Sequence, residues 1–458
     1  MQKLIIMSDQ KQTIVPSYSQ VACIGTGFSA IALGATLKRW YQMDNIRFFE
    51  RHGDSGGTWH ISSYPGLFDL GFLDDTADNS QALMPSYREI KAYQDEVVGT
   101  YALREKMTFN TEVRECIWCE ESSRWLMVIC DVRTGEIMHH ECQILFAATG
   151  QLVEPRPCDI PGASSFKGDI FHSARWNHNV SLDGKKVVVV GNGCTAAQIV
   201  PAIVDCTEYL TQIVRSKHWI FPAVDFTYPS ILQWIFRWVP FAMKLHRFHI
   251  FLLAENKFRL FPMTKAAAKL REKRRQRVVK YMRETAPAKY HPTLISAARS
   301  LKNEKILLTD SKVLEITPDG VQTSDSLVPA DIIVLATGFK TNKYIPYTEI
   351  RGRHGPNAAT GHTSALMAAE NSVNYALRIL KPVLDGSAVA VDLKQDAEDD
   401  YIDRVQETLR RRVWNAGCAS WYINGKQWNA MAYPWTQGHY WYRSLFPVWS
   451  HWTHKVRI

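Results

Sequence analysis

Val21-Ala22-Cys23-Ile24-Gly25-Thr26-Gly27-Phe28-Ser29-Ala30 runs a short apolar stretch straight into a glycine-rich turn. Lys185-Lys186-Val187-Val188-Val189-Val190-Gly191-Asn192-Gly193-Cys194-Thr195-Ala196 repeats the arrangement later in the chain. Ile31 to Trp40 and Ala197 to Ile203 continue each turn with helical periodicity. Strand, Gly-x-Gly-x-x-Ala turn and helix form the context of a dinucleotide-binding site. Gly25 permits the tight turn, and Gly27 lets the backbone approach a pyrophosphate. The small Ala30 allows close helix–strand packing, and the helix N-terminus attracts phosphate. The chain is therefore expected to be α/β, with two Rossmann-like dinucleotide-binding domains holding two nucleotides.

The residues closing the next strand of each unit suggest which nucleotide. Ile46-Arg47-Phe48-Phe49 ends in Glu50, followed by Arg51. An acid about 20 residues past the turn binds ribose hydroxyls, and its charge repels a 2′-phosphate. That site wants FAD or NAD. Gln212-Ile213-Val214 is followed instead by Arg215-Ser216-Lys217. A guanidinium, a hydroxyl and an ammonium suit a 2′-phosphate, which points to NADPH.

With 458 residues, the chain is expected to divide into about two or three domains. A 46% hydrophobic and 22% charged composition is that of a globular protein. Met1 to Gln20 carries no secretory pattern, and no apolar run reaches spanning length. Nine scattered cysteines suit a reducing compartment, so a cytoplasmic setting is expected. Cys116 and Cys119 form a lone Cys-x-x-Cys within an alternating strand-like run, which is no zinc pattern; no metal is expected. Much of the net charge of +9 comes from Lys265, Lys269, Arg271, Lys273, Arg274, Arg275, Arg277, Lys280 and Arg283. Without a recognition motif, that cluster reads as a solvated helix face rather than a nucleic-acid surface.

Several further stretches carry a resemblance. Phe166-Lys167-Gly168-Asp169-Ile170-Phe171-His172-Ser173-Ala174-Arg175-Trp176 lies between the two turns. Gly56-Gly57-Thr58-Trp59 and Tyr64-Pro65-Gly66, with Asp69 just beyond, follow the first ribose-binding acid. The set resembles the Baeyer–Villiger flavin monooxygenases, as a divergent and shortened member. The resemblance implies that Gly57, Thr58, Trp59, Tyr64 and Asp69 surround the flavin. It also implies that backbone at Val113 touches the adenine, and that His172 belongs to the cofactor-linked fingerprint. Ala148-Thr149-Gly150 and Ala336-Thr337-Gly338 are similar to the two exits by which such chains pass between their nucleotide domains. Gly355 to Ser364, the helix Ala365 to Leu384, and Trp414 to Tyr422 match further family segments.

The activity this implies is insertion of one oxygen atom from O2 into a hydrophobic ketone through a C4a-peroxyflavin, with NADPH as donor. Secondary metabolism is the expected setting. The family also implies a Lys-Arg pair whose Arg stabilises the developing anion. Lys289 fits the Lys, Tyr290 stands where the Arg belongs, and Arg299 is the candidate substitute. The departure keeps two other readings open: an N- or S-oxygenating flavin monooxygenase, and a flavoprotein that binds nucleotides without oxygenating.

The domain division expected is 17–155 for FAD, 160–220 and 296–340 for NADPH, 221–295 for a helical insert, and 341–458 for the return to FAD. The insert mixes Trp234, Phe236, Trp238, Phe241, Phe248, Phe251 and Phe258 with Arg237, Lys244 and Arg247. It reads as a helical subdomain packed on the NADPH domain; the competing reading is a surface through 231–262 that dips into a membrane.

Overall fold

The structure is a computed structural model that describes residues 16–65, 85–215, 219, 228–290, 304–341, 348–351, 365–415, 428–429 and 432–456. Asp69, Ser216, Lys217, Arg299, Gly355 to Ser364 and Ser420 to Tyr422 lie outside the described residues, as does the side chain of Lys289.

The chain opens with β1 (Ser17–Ile24), α1 (Phe28–Tyr41) and β2 (Ile46–Phe49). A single helical turn α2 (Thr58–Ile61) and α3 (Tyr87–Thr100) follow. Then come β3 (Met107–Thr108), β4 (Thr111–Cys119), β5 (Arg124–Asp131) and β6 (Ile137–Ala147). With β15 (Glu349–Arg351) these strands make one seven-stranded sheet in the order β15-β4-β5-β6-β1-β2-β3. The strands β6, β1, β2 and β3 run parallel, whereas β4, β5 and β6 are joined as an antiparallel meander. Only the inner half of central β1, Val21 to Ile24, is buried on both faces as an unbroken apolar run, as central parallel strands are. Phe48, Leu33 and Leu37 fill one face; Val113, Met127 and Ile129 fill the other.

The second sheet holds β7 (Asp169–His172), β8 (Lys186–Val190), β9 (Tyr209–Ile213), β10 (Ile306–Thr309) and β14 (Ile332–Leu335). Its order is β10-β9-β8-β14-β7, and every pairing is parallel. Helix α4 (Cys194–Ile203) crosses from β8 to β9, and its Ile199, Val200 and Ile203 enter the core beside Val187 and Val189. The fingerprint stretch is not a free linker: Asp169 to His172 is the edge strand of this sheet, in register with Ile332 to Leu335. Gly168 is required there, because a Cβ would stand 2.0 Å from the Asp331 carbonyl oxygen. A small antiparallel sheet of β11 (Val313–Thr317), β12 (Gly320–Thr323) and β13 (Leu327–Pro329) leads into β14.

After β14 the chain returns to the first sheet. β15 pairs with β4, and α8 (Ala365–Leu384) packs Val373, Leu377 and Val383 into the core beneath α1. The bounds of α8 are those read from the sequence. A two-stranded ribbon of β16 (Ala390–Leu393) and β17 (Trp452–Lys455), with α9 (Gln395–Arg410) and α10 (Gln437–Leu445) between, closes the described chain. Cys116 and Cys119 sit on β4 as free cysteines, Cys116 buried, and no metal-holding cluster occurs among the described residues.

Helices α5 (Ser230–Trp238), α6 (Ala242–Lys257) and α7 (Lys265–Thr285) make up the insert. Its contacts are divided. Tyr281, Ala286 and Tyr290, at and after the end of α7, join the core of the second sheet. The base of α6 is instead tied to the C-terminal helices: Glu255 accepts from the Gln437 N–H at 2.7 Å, and Phe261 stacks on Trp414 at 4.5 Å. The cationic face of α7 is solvated, except that Arg271 donates to the Leu260 and Pro262 carbonyls. No helix among the described residues is long and apolar enough to cross a membrane.

Candidate functional site

Both glycine turns lie at the C-terminal end of a central parallel strand whose two neighbours lead away in opposite directions. That is where open α/β sheets bind ligands. At the first, Gly25 has φ +97°, and a Cβ there would meet the Ala148 carbonyl oxygen at 2.8 Å. Its N–H donates to the Phe49 carbonyl at 2.8 Å. Gly57, at φ +56°, approaches so closely that an added Cβ would stand 2.9 Å from the Gly27 Cα. The Gly56-Gly57 loop therefore lies directly on the first turn, with only backbone between them. Buried Glu50 braces the turn: one carboxylate oxygen accepts from the Thr26 N–H at 3.0 Å and its hydroxyl at 2.9 Å. The other oxygen accepts from the His52 N–H at 2.9 Å. Arg51 donates to the Val153 carbonyl and to His52. Burial, with the Arg51, His60 and Arg175 charges around it, holds the His52 imidazole down at about 4.

At the second turn Gly191 has φ +132°, and a Cβ would stand 2.4 Å from the Ala336 carbonyl oxygen. Its N–H donates to the Ile213 carbonyl at 3.0 Å. Since Phe49 and Ile213 accept the same bond in the two units, Glu50 corresponds to Val214, and Arg51 to Arg215. The sequence expectation that Glu50 and Arg215 occupy equivalent positions is corrected by one residue. Buried Val214 stands where the carboxylate would be; exposed Arg215 follows it, with no carboxylate paired to it among the described residues. The brace here is neutral: the fully buried Gln212 amide donates to the Gly191 carbonyl at 3.1 Å and to the Asn192 side-chain oxygen at 3.2 Å. Sequence reading passed over Gln212 and Thr26, because each acts through a partner that strand pairing supplies.

The residues present fit two dinucleotides. Helices α3, α7 and α10 are capped by their own side chains, Ser86, Thr264 and Thr436. Helices α1 and α4, like α5, α6 and α9, begin with no side-chain cap, but they alone start on the glycine turns, where their leading N–H groups are free to meet an anion. Three buried polar atoms without a partner among the described residues stand at these loops: Gln94 Oε1 beside Gly56, Gln212 Oε1 beside Gly191, and Thr337 Oγ1 on the second exit. Such orphans cost about 1–3 kcal/mol each unless a ligand or water meets them.

The two units are joined through the predicted flavin-wall residues. Tyr64 is buried in the core of the second sheet, its hydroxyl bonded to Thr195 at the start of α4, while Trp59 and Tyr87 pack against the same core. The two exits run together: the Arg156 N–H donates to the Gly338 carbonyl, and the Lys340 N–H to the Glu154 carbonyl. His172 locks the fingerprint strand onto that junction. Its Nδ1 accepts from the Ala174 N–H at 3.1 Å, which leaves the proton on Nε2 to donate to the Gly338 carbonyl at 3.0 Å. Burial pushes this imidazole below its usual range.

Among the other expected residues, Phe28, Ser29, Cys194 and Ala196 occupy the first turns of α1 and α4, Thr58 begins α2, and Thr149 and Gly150 follow β6. Val113 lies buried on β4, where its carbonyl accepts from the Thr348 hydroxyl at 2.6 Å. Tyr290 is not placed to serve as a reacting group. It is 5% exposed in the core of the second sheet, and its hydroxyl donates to the Ile306 carbonyl at 3.1 Å. A large aromatic side chain at that position pays for itself in packing, so Tyr290 leaves the catalytic set.

A model of the family described as flavin-binding monooxygenase-like matches residues 85–349. A Baeyer–Villiger monooxygenase of Streptomyces coelicolor is 28% identical, over 94% of this chain and 91% of its own. An FAD-binding monooxygenase of Aspergillus terreus is 26% identical, over 89% of this chain and 83% of its own. In structure, the cyclohexanone monooxygenase of a Rhodococcus species bound to NADP+ superposes with a TM-score of 0.82 at 20% identity, covering 97% of this chain and all of that one. The fold is therefore that of a two-nucleotide flavoprotein, and with more than half of its length matched, the chain belongs to the flavin-binding monooxygenase-like family.

Proposed function

We propose that this protein is an FAD-dependent, NADPH-driven monooxygenase of the Baeyer–Villiger type, converting a hydrophobic ketone to an ester or lactone. The single observation carrying the cofactor assignment is the carboxylate contrast: Glu50 braces one turn, and Val214 with Arg215 replaces it at the other. FAD at the first turn supplies the oxygen-activating chemistry when bound. The chain's own residues bind, orient and exclude water. Glu50 holds the ribose-side geometry through Thr26, and the N-terminus of α1 faces the pyrophosphate. At the second turn Gln212 fixes the loop, Arg215 meets the 2′-phosphate, and Tyr64 with Trp59 seals the junction. The division at 17–155 and 341–458 for FAD, 160–220 and 296–340 for NADPH, and 221–295 for the insert goes with this reading. Names of relatives that carry the Baeyer–Villiger activity over most of their length support it.

The test is product analysis of the flavin-loaded protein with NADPH and O2, given a cyclic ketone and a thioether in parallel. A lactone from the ketone is expected. Core-bound Tyr290, which offers no cation where the family has one, favours the second reading, N- or S-oxygenation. Sulfoxide alone, with the ketone untouched, would assign the protein to that reading.

A further inference from the structure

We propose that the α5–α6 hairpin seats the protein on the surface of an anionic lipid bilayer. Large apolar side chains are exposed along both helices at helical spacing. On α5 they are Ile231, Trp234 and Trp238; on α6 and its N-cap they are Phe241, Leu245, Phe248 and Leu252. Trp238 is 66%, Phe241 74% and Leu245 70% exposed, far more than a globular surface leaves in one continuous ridge. The inward side chains pack against one another, Phe236 and His246 half-buried: the Tyr228 hydroxyl bonds His246 at 3.0 Å, and Phe236 stacks on His246 at 4.7 Å. The hairpin is therefore a folded wedge rather than two loose helices, and its base is fixed by Glu255 on α10 and Phe261 on Trp414. Phe241, at its tip, is held in the left-handed region at φ +64°, where a bulky side chain is strained. Phe241, the most exposed ring of the set, stands at the corner between the helices.

Charge selects the occupant. From Tyr228 to Ala254 there is no Asp or Glu, whereas Arg237, Lys244 and Arg247 are present. The Arg237 guanidinium lies over the Trp238 ring at 5.8 Å, and the Lys244 ammonium lies 5.5 Å from the Phe241 ring centre. Arg237 and Lys244 thus each stand beside an exposed aromatic, as side chains do where rings enter the acyl boundary and cations stay with headgroup phosphates. A second copy of the chain would bring a cationic ridge against a cationic ridge. A membrane carrying net negative charge meets both the apolar and the basic components.

The experiment is co-sedimentation of the flavin-loaded full chain with vesicles of phosphatidylcholine alone, and of phosphatidylcholine with phosphatidylserine as about one lipid in three. Partition onto the anionic vesicles is expected to exceed that onto neutral ones at least tenfold, and to weaken with salt. Trp234→Ser, Trp238→Ser and Phe241→Ser combined should abolish it while flavin content stays unchanged. Should that variant fail to fold, Arg237→Glu and Lys244→Glu, both exposed, should each lower partition by about fivefold or more. Equal recovery with neutral and anionic vesicles would overturn the proposal. So would a concentration-dependent dimer that the triple variant disperses, which would assign the ridge to a second copy.

Discussion

The two glycine turns are built on one plan and braced by different chemistry. In both, a glycine with positive φ lies against the carbonyl of the returning exit strand, Ala148 for Gly25 and Ala336 for Gly191. In both, its N–H is taken by the last residue of the neighbouring strand. The brace differs. Glu50 brings a buried negative charge with three accepted bonds, while Gln212 brings a neutral amide. The backbone plan is shared, so the proposed difference in dinucleotide rests on side chains: Glu50 at the first turn, and Gln212, Val214 and Arg215 at the second.

The harshest way to break the comparison is to fill the shared cradle. Gly191→Val puts a Cβ 2.4 Å from a backbone oxygen, in a conformation that branched residues rarely adopt. We expect NADPH-driven flavin reduction to fall by at least about a hundredfold, from roughly 3 kcal/mol of strain and clash. If the turns are independent, the flavin-to-protein ratio, read from the visible spectrum, should barely change. Gly25→Val should do the reverse, yielding protein without flavin colour. Loss of flavin in both variants would show that the sites fold as one unit through Tyr64 and Thr195.

Next is the charge itself. In Glu50→Gln one side-chain oxygen becomes an NH2 group, which must face either the Thr26 or the His52 N–H. A donor set against a donor, together with the lost charge, costs roughly 1.5–3 kcal/mol. FAD affinity of the stripped protein, followed by quenching of flavin fluorescence, should drop tenfold to a hundredfold. Unchanged affinity would mean that Glu50 holds the backbone without contributing to the ligand.

These effects also show what the sequence could reveal. Strand, turn and helix are adjacent in the chain, so both cradles were legible from periodicity and glycine spacing, and the bounds of α8 from the family resemblance. Register was not. Counting along the chain set Arg215 opposite Glu50, whereas strand pairing sets Val214 there. Gln212 looked like one more strand residue until β8 supplied the turn for its amide to hold. Tyr290 stands where the family motif places an Arg, and the core of the second sheet claims its ring. His172 was legible as part of a pattern, but its acceptor, Gly338, lies far along the chain. Local chemistry is written in order; the partners are chosen by topology.

The register correction yields a sharper and smaller test. Arg215→Ala should reduce kcat/KM for NADPH about tenfold and leave NADH nearly untouched, because only the phosphorylated donor meets an exposed guanidinium. Val214→Glu rebuilds the first site's carboxylate at the second. It should shift the NADPH-to-NADH preference further towards NADH than Arg215→Ala does, since repulsion adds to lost attraction. If Val214→Glu left the preference unchanged while Arg215→Ala inverted it, the equivalence of Glu50 with Val214 would be wrong.

The smallest expected effect concerns the junction that keeps the two turns facing each other. His172 must stay neutral, because Nδ1 accepts from Ala174 while Nε2–H donates to Gly338. Protonation would set an N–H against the Ala174 N–H. Burial lowers the folded-state pKa, whereas in the unfolded chain the imidazole titrates at about 6.5. Between those values the unfolded chain binds more protons, so stability is complete above about pH 6.5 and is lost as pH falls towards the folded value. His172→Gln can make both bonds without titrating. Its melting temperature at about pH 7.5 should therefore lie close to that of the parent, and should fall less on acidification to about pH 5.5. His140, held down at about 4 by burial between Ser17 and Ser19, and His52, also held at about 4, titrate over the same window. The readout must therefore be the difference between parent and variant rather than the parent's own acid limb. A parallel acid limb in both proteins would place the titration at His140 or His52 and leave the junction without a proton-sensitive contact.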